Sequence, residues 1–441
     1  MRMFEKLRHI ATDPYRGVRD FYPEDQAVHN YLLHTMRTSM ERFGYEEYHA
    51  SILEPAELYR AKTSEEIVSE QTYTFTDRGN REVTLRPEMT PTTARMVSAR
   101  RRDLAFPLRW FSVANVFRYE RPQRGRLREH WQLNADFFGL EGIHAETEII
   151  HTASSILNTL GLKETDFSIQ INNRAILREL LIEGMGISEA SFSTITRILD
   201  KREKVHPQNF KAAIFDAFGK ETAQAERFLS FLDTKDLHGI IATFSNHEAL
   251  KEKLRDTEEL IHNLSQKGVT NVNFNRGLAR GFDYYTGMIF EIFDTDTKNN
   301  RSLAGGGRYD NLIKTFSGHD IPAVGFGMGD VTIAQALESR GLLPPYTSQT
   351  TLYLCIAQTG ALPYAEKVAA MLRDAHINTA IDFTGKKIGD QIRYAVRHHI
   401  PYIACIGDQE VSSKKIVVKN LKEESEKTVP EDELITYLTH E

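Results

Sequence analysis

Cysteine is nearly missing from these 441 residues: Cys355 and Cys405 are the only two. Two thiols in separate apolar runs cannot staple a small disulfide fold and have no zinc-ligand spacing. They read as buried thiols of a reducing compartment. Long apolar runs are missing too. No stretch reaches the roughly 20 residues of a membrane span, and the opening residues hold no apolar h-region, so no signal peptide is expected. Together these absences predict a cytoplasmic protein. There is no excess of either charge, with 55 basic against 61 acidic residues and a net charge of −6. Any nucleic-acid partner must therefore be met by local basic patches. Repeats and low-complexity tracts are absent as well. What remains, 41% hydrophobic and 26% charged, fits an ordinary globular protein of two or three domains.

The most unusual stretch present is 113–139, VANVFRYERPQRGRLREHWQLNADFFG. Two apolar, β-prone runs flank a loop that carries five arginines and one glutamate between Arg118 and Arg128. Such a hairpin tip suits the holding of phosphates close to a floor of fixed donors and acceptors. A solvated, charged turn would have the same composition.

Around it the pattern reads in order. A helix is expected over 25–43, with Val28, Tyr31, Leu32 and Met36 at helical spacing, leading to a strand-like stretch closed by Pro55. QTYTFTDRGNREVTLR reads as a hairpin with a GN turn, and Thr90-Pro91 as a strand-to-helix junction. Residues 144–160 read as helix and 166–172 as strand. From about 174 to 256 helical patterns take over, an inserted helical domain, before strand character returns over 272–293. A proline-bearing linker near 341–350 precedes alternating strands and helices, which predict a small α/β domain with a mostly parallel sheet.

Several short constellations could carry chemistry. In LRPEMT, Glu88 and Thr90 are two apart and would share a strand face, where a carboxylate and a hydroxyl can capture an ammonium group. In WQLNAD, Gln132, Asn134 and Asp136 alternate with apolar residues and could floor a pocket or form the wet side of a sheet. RGFDYY sets Arg280 before paired tyrosines. AGGGRYDNL and GFGMG are glycine-rich but match neither a dinucleotide fingerprint nor a phosphate-binding P-loop.

In this combination and order, GVRDFYPED, the arginine hairpin, RGFDYYTGMIFE, AGGGRYDNL and the C-terminal LYLCIA, AIDF, YIACIGDQE and IVVKNL series resemble the histidyl-tRNA synthetases. These are class II aminoacyl-tRNA synthetases, and the resemblance covers nearly the whole chain. It implies an α+β catalytic domain built on an antiparallel sheet (1–173 and 257–340), a helical insertion (174–256) and a C-terminal α/β anticodon-binding domain (346–441). It implies activation of L-histidine with ATP and Mg²⁺, transfer to histidine tRNA, and a homodimer formed through the region ending at Pro55.

By position, the resemblance puts Glu88, Thr90 and Gln132 on the substrate's α-amino group. Asp136 and Tyr285 would read the imidazole, with Tyr309 lining the same pocket. Arg118 and Arg280 would face the α-phosphate from two sides, and Glu120 the adenine end. Arg121 and Gln123 would meet the tRNA acceptor end. Seven basic residues of the last domain, Lys386, Lys387, Arg393, Arg397, Lys414, Lys415 and Lys419, offer contacts to an anticodon stem.

The pattern breaks once. Where the family's third class motif carries an arginine for the γ-phosphate, this chain has Thr332; Arg126 or a second Mg²⁺ could compensate. The break keeps open a non-catalytic, histidine-binding paralogue such as an ATP phosphoribosyltransferase regulatory subunit. Against it stands the C-terminal domain, which such paralogues lack.

Overall fold

Helix α1 (Pro23–Arg42) begins on a proline, whose missing N–H costs nothing at a first helical position. Leu32, Leu33, Met36 and Met40 recur on its buried face. In the computed structural model, residues 12–60, 71–200, 202, 205–219, 221–233, 248–278, 284–299 and 301–440 are described. The chain forms two units, Met1–Leu343 and Pro344–Glu441.

The stretch after α1 serves two sheets rather than one strand. Its first part, β1 (Glu46–Glu47), joins the large sheet; its end, β2 (Leu53–Pro55), pairs with β4 (Glu82–Leu85), which also pairs with β3 (Tyr73–Thr76). The β3–β4 hairpin is the expected one. Asn80 takes the left-handed conformation, and the Asp77 carboxylate accepts from the backbone of Gly79 and Arg81. Helix α2 (Thr90–Arg100) follows.

The large sheet contains β5 (Leu108–Phe117), β6 (Glu129–Phe138), β7 (Phe167–Asn173), β8 (Val272–Phe274), β9 (Met288–Asp294), β10 (Ser302–Arg308) and β11 (Ala323–Gly329). Its order is β1-β5-β6-β11-β10-β9-β7-β8. It is antiparallel except at its two ends, where β1 and β5, and β7 and β8, run parallel. On one face α3 (Ile143–Thr159) packs Ile149, Ile150, Ala153 and Ile156 against Phe111, Leu133, Phe137, Phe290 and Phe326. Burying each large side chain there stabilises by about 1.5–3 kcal/mol.

Between β7 and β8 lie helices α4 (Glu189–Asp200), α5 (Pro207–Phe218), α6 (Thr222–Asp233) and α7 (Glu248–Gln266). They build a separate apolar cluster around Leu180, Ile214, Phe228 and Leu254. Residue 256 marks no break in the chain, because α7 runs straight through it. Leu250 and Leu254 belong to the helical cluster, whereas Leu260 and Leu264 pack in the main core.

The second unit has a five-stranded sheet of β12 (Leu352–Ile356), β13 (Thr379–Ile381), β14 (Tyr402–Ile406), β15 (Lys415–Asn420) and β16 (Ser425–Pro430), in the order β13-β12-β14-β15-β16. Only the β13, β12 and β14 part is parallel; β15 and β16 add antiparallel pairs, so the expected mostly parallel sheet is mixed. Strand β16 escapes sequence reading because, on the sheet edge, it buries a single side chain, Val429. Leu352 and Leu354 face one apolar cluster, Tyr353 and Cys355 another, so both faces of β12 are covered. Cys355 is buried and Cys405 half-buried, both free. Among the described residues, no helix is long and apolar enough to cross a membrane.

Candidate active site

The large sheet's other face carries the cavity. Strand β6 alternates as expected: Leu133, Ala135 and Phe137 enter the core, while Gln132 and Asn134 line the cavity and Asp136 lies buried at its closed end. The neighbouring strand makes room for them. Gln132, Asn134 and Asp136 stand opposite Gly329, Gly327 and Gly325 of β11. A Cβ on Gly325 would collide with Asp136 Oδ1, and one on Gly327 with the Gln132 amide. Hence the period-two glycines of GFGMG sit in a strand, with Phe326 and Met328 filling the core side. The glycines of AGGGR also lie within a strand, β10, and not in a loop.

At the closed end Tyr309 donates to Asp136 Oδ1, and Asp136 Oδ2 is buried with no hydrogen-bond partner. Burial pushes this carboxyl up to about 7, against the opposing effect of the Tyr309 hydrogen bond. Tyr285 lines the same end. Its neighbour Tyr284, to which the sequence reading gave no role, donates to Glu88 Oε2 at 3.0 Å.

Glu88 and Thr90 both line the cavity, but not as strand neighbours. β4 stops at Leu85, Glu88 lies in the following loop and Thr90 is the first residue of α2. Proline at 87 and 91 explains the difference, since neither can donate to a sheet ladder. The loop is pinned by the fully buried Arg86, also missed in the sequence. Its guanidinium donates to the carbonyl of Asn115 at 2.8 Å, the side chain of Asn115 at 3.0 Å and the carbonyl of Ala50 at 2.8 Å. Arg86→Ala is expected to destabilise the protein by about 3 kcal/mol, because these acceptors would be left buried and unpaired. Urea unfolding of the two proteins measures it.

The open end is cationic. Arg118, just past β5, donates from Nε to the carbonyl of Pro87 at 2.9 Å and has no carboxylate within ion-pair distance among the described residues. Glu120 is buried and ion-paired with Arg126. His130 reports the local potential: burial, then Arg118, Arg19 and Arg126, hold it down to about 3, so the ring is neutral. Arg121 and Gln123 are exposed and lie outside the cavity lining. Gln123 closes a tight turn with Arg126 through paired backbone hydrogen bonds of 3.0 and 2.9 Å. Arg280 lies outside the described residues.

An antiparallel sheet that includes an arginine-tipped hairpin, with a cationic mouth and a polar closed end, is the architecture of a class II aminoacyl-tRNA synthetase domain. The sequence comparisons give the particular family. A histidyl-tRNA synthetase model matches residues 17–331 and an anticodon-binding-domain model residues 351–441. The histidine–tRNA ligase of Leptospira biflexa is 38% identical over 438 residues, 99% of either chain. That of Thermoplasma volcanium is 36% identical, covering 97% of this chain and 99% of its own. The chain belongs to the histidyl-tRNA synthetase family. Its fold is shared with the crystal structure of histidyl-tRNA synthetase from Nostoc sp. PCC 7120, at a TM-score of 0.82 and 22% identity over 98% of this chain and all of that one. It is shared also with a Bacillus halodurans protein described as an ATP phosphoribosyltransferase regulatory subunit/histidyl-tRNA synthetase, at 0.75 and 22% over 90% and 99%. Fold alone thus does not separate the two readings; the full-length ligase relatives favour the enzyme.

Proposed function

We propose that the chain joins L-histidine and ATP into histidyl-adenylate and passes the histidyl group to the 3′ end of histidine tRNA. The observation that carries this is Asp136: a buried carboxylate oxygen without a partner, at the closed end of a cavity whose mouth is cationic. An imidazole N–H supplies the missing donor. Asp136, Tyr285 and Tyr309 read the ring, while Glu88, Thr90 and Gln132 hold the α-ammonium group. The histidine carboxylate then attacks the α-phosphorus, an O–P bond forms and pyrophosphate leaves. A carboxylate is already ionised at neutral pH, so this step needs no general base. Arg118 and Arg280 neutralise the charge that spreads over the phosphorus. Glu120, oriented by Arg126, meets the adenine end; the exposed Arg121 and Gln123 meet the tRNA acceptor.

Mg²⁺ supplies charge neutralisation of the departing phosphates. Among the described residues no group of three or more His, Cys, Asp or Glu is placed to hold a metal, and Glu120 is engaged by Arg126. Mg²⁺ would therefore be held through the phosphates of ATP, and Arg118 and Arg280 would share the charge neutralisation with it. The catalytic core comprises 1–173 and the chain from about 257 to 340, the insertion the intervening residues with its C-terminal edge inside helix α7 (Glu248–Gln266), and the anticodon-binding domain 346–441. In the last, the seven basic residues named above are exposed, as backbone contacts to tRNA require. A homodimer forms through the region ending at Pro55, where Ile52 and Leu53 are exposed apolar residues. The protein works in the cytoplasm.

The reading predicts histidine-dependent exchange of labelled pyrophosphate into ATP. Exchange no faster with histidine than without it would remove the enzyme reading and leave the regulatory one, which the missing arginine at Thr332 favours.

A further inference from the structure

The residue at 332 is a buried threonine, so the triphosphate tail has no cation from helix α8 (Asp330–Glu338). A different arginine belongs to the turn that reaches that position. The turn between β9 and β10 is tied to α8 at Thr332 itself: Asn299 Nδ2 donates to the carbonyl of Thr332 at 3.3 Å and to Asp294 Oδ2 at 3.0 Å. Asp294 is in turn clamped by Arg340 at 2.6 Å. Two residues after Asn299 the same turn presents Arg301, immediately before Ser302 and Leu303 of the cavity lining.

Arg301 also touches the arginine hairpin. A Cβ on Gly125, which has φ +74°, would lie 3.0 Å from Arg301 Cγ and 3.6 Å from Gln335 Oε1. The hairpin therefore passes close over the Arg301 stem, and a side chain at 125 would both press on that stem and strain the left-handed backbone. Among the described residues no carboxylate lies within ion-pair distance of Arg301, and the buried Gln335 Oε1 next to it has no hydrogen-bond partner. Burial and Arg126 both disfavour its charged form, opposed by Glu120. The Arg301 stem lies against Gly125, the residue before Arg126, so the turn and the hairpin bring two arginines to one place, which suits a polyanion.

We propose that Arg301 supplies the cation absent at Thr332, binding the β- and γ-phosphates of ATP together with Arg126. This rests on the ATP-dependent reading above, and its test reads binding rather than turnover. Full-length protein is titrated calorimetrically with MgATP and with AMP. Arg301→Ala is expected to weaken MgATP about 10- to 100-fold, the loss of one charge-assisted contact, and to leave AMP within about twofold. Adding Thr332→Arg to Arg301→Ala should restore most of the loss by returning a guanidinium from the helix side. Equal weakening of ATP and AMP, or unchanged ATP affinity in Arg301→Ala, overturns the proposal. Failure of the wild type to exchange pyrophosphate bears on the enzyme reading alone, because these affinities are measured without catalysis.

Discussion

Asp136→Ala is expected to lower kcat/KM for histidine by about 10³-fold or more, while the KM for ATP changes little. The carboxylate lies at the cavity's closed end with Oδ1 taken by Tyr309 and Oδ2 waiting for a donor. Truncating one member of a buried, charge-assisted pair costs about 2–5 kcal/mol, and sites built to pair a polar substrate discriminate by roughly 10⁴–10⁵ against partners that leave them unpaired. Pyrophosphate exchange at varied histidine measures the effect. A change below tenfold would show that the ring is read elsewhere.

The same group gives the empty site a pH signature. Its carboxyl sits near 7 in the fold, above the ordinary carboxylate value of 3.8. Between those values the folded protein binds more protons than the unfolded one, so this group's contribution to stability falls as pH rises from about 4 to 7 and is level above that. Asp136→Asn, which keeps the shape without the charge, should remove this slope. Thermal unfolding of the ligand-free proteins across pH 4–8 is the comparison, and equal slopes would place the titration on another group. If Asp136 reads the imidazole as proposed, substrate relieves this destabilising charge, and selection of histidine is tied to the cost of the empty cavity.

Much of this floor is legible in the sequence because a strand writes its faces at period two. Gln132, Asn134 and Asp136 alternate with Leu133, Ala135 and Phe137, and the same period is present in the glycines of GFGMG. What the sequence hides is that the two patterns are one, since Asp136 meets Gly325 only through a pairing of distant strands. Glu88 and Thr90 share the cavity for a reason unlike the expected one. A loop held by Arg86 and a helix start bring them together, contacts far apart in the chain that no local spacing records. Arg301 is similarly silent, an isolated arginine on a turn that is tied to α8 through Asn299 binding the carbonyl of Thr332. Helix α7 misleads about the insertion's edge because one continuous amphipathic helix serves two cores in succession.

Arg118→Ala is expected to reduce the rate of histidine-dependent pyrophosphate exchange about 10²–10³-fold, with a smaller change in the KM for histidine. Arg118 is fixed before substrate arrives: its Nε is committed to the carbonyl of Pro87, and the same short loop carries Glu88. One guanidinium edge is thus anchored while the remaining nitrogens are available to an incoming phosphate, the preorganisation that makes a donor effective when charge develops. The anchor also ties Arg118 to Glu88, since the loop that carries Glu88 is the one that holds the arginine. Arg118→Lys should therefore recover little, because an ammonium group cannot hold Pro87 and a phosphate along two edges at once. Single-turnover formation of adenylate separates this chemical step from binding. If alanine left that step unchanged, the charge on the phosphorus would have to be met by other groups, and the hairpin would be a binding device for tRNA alone.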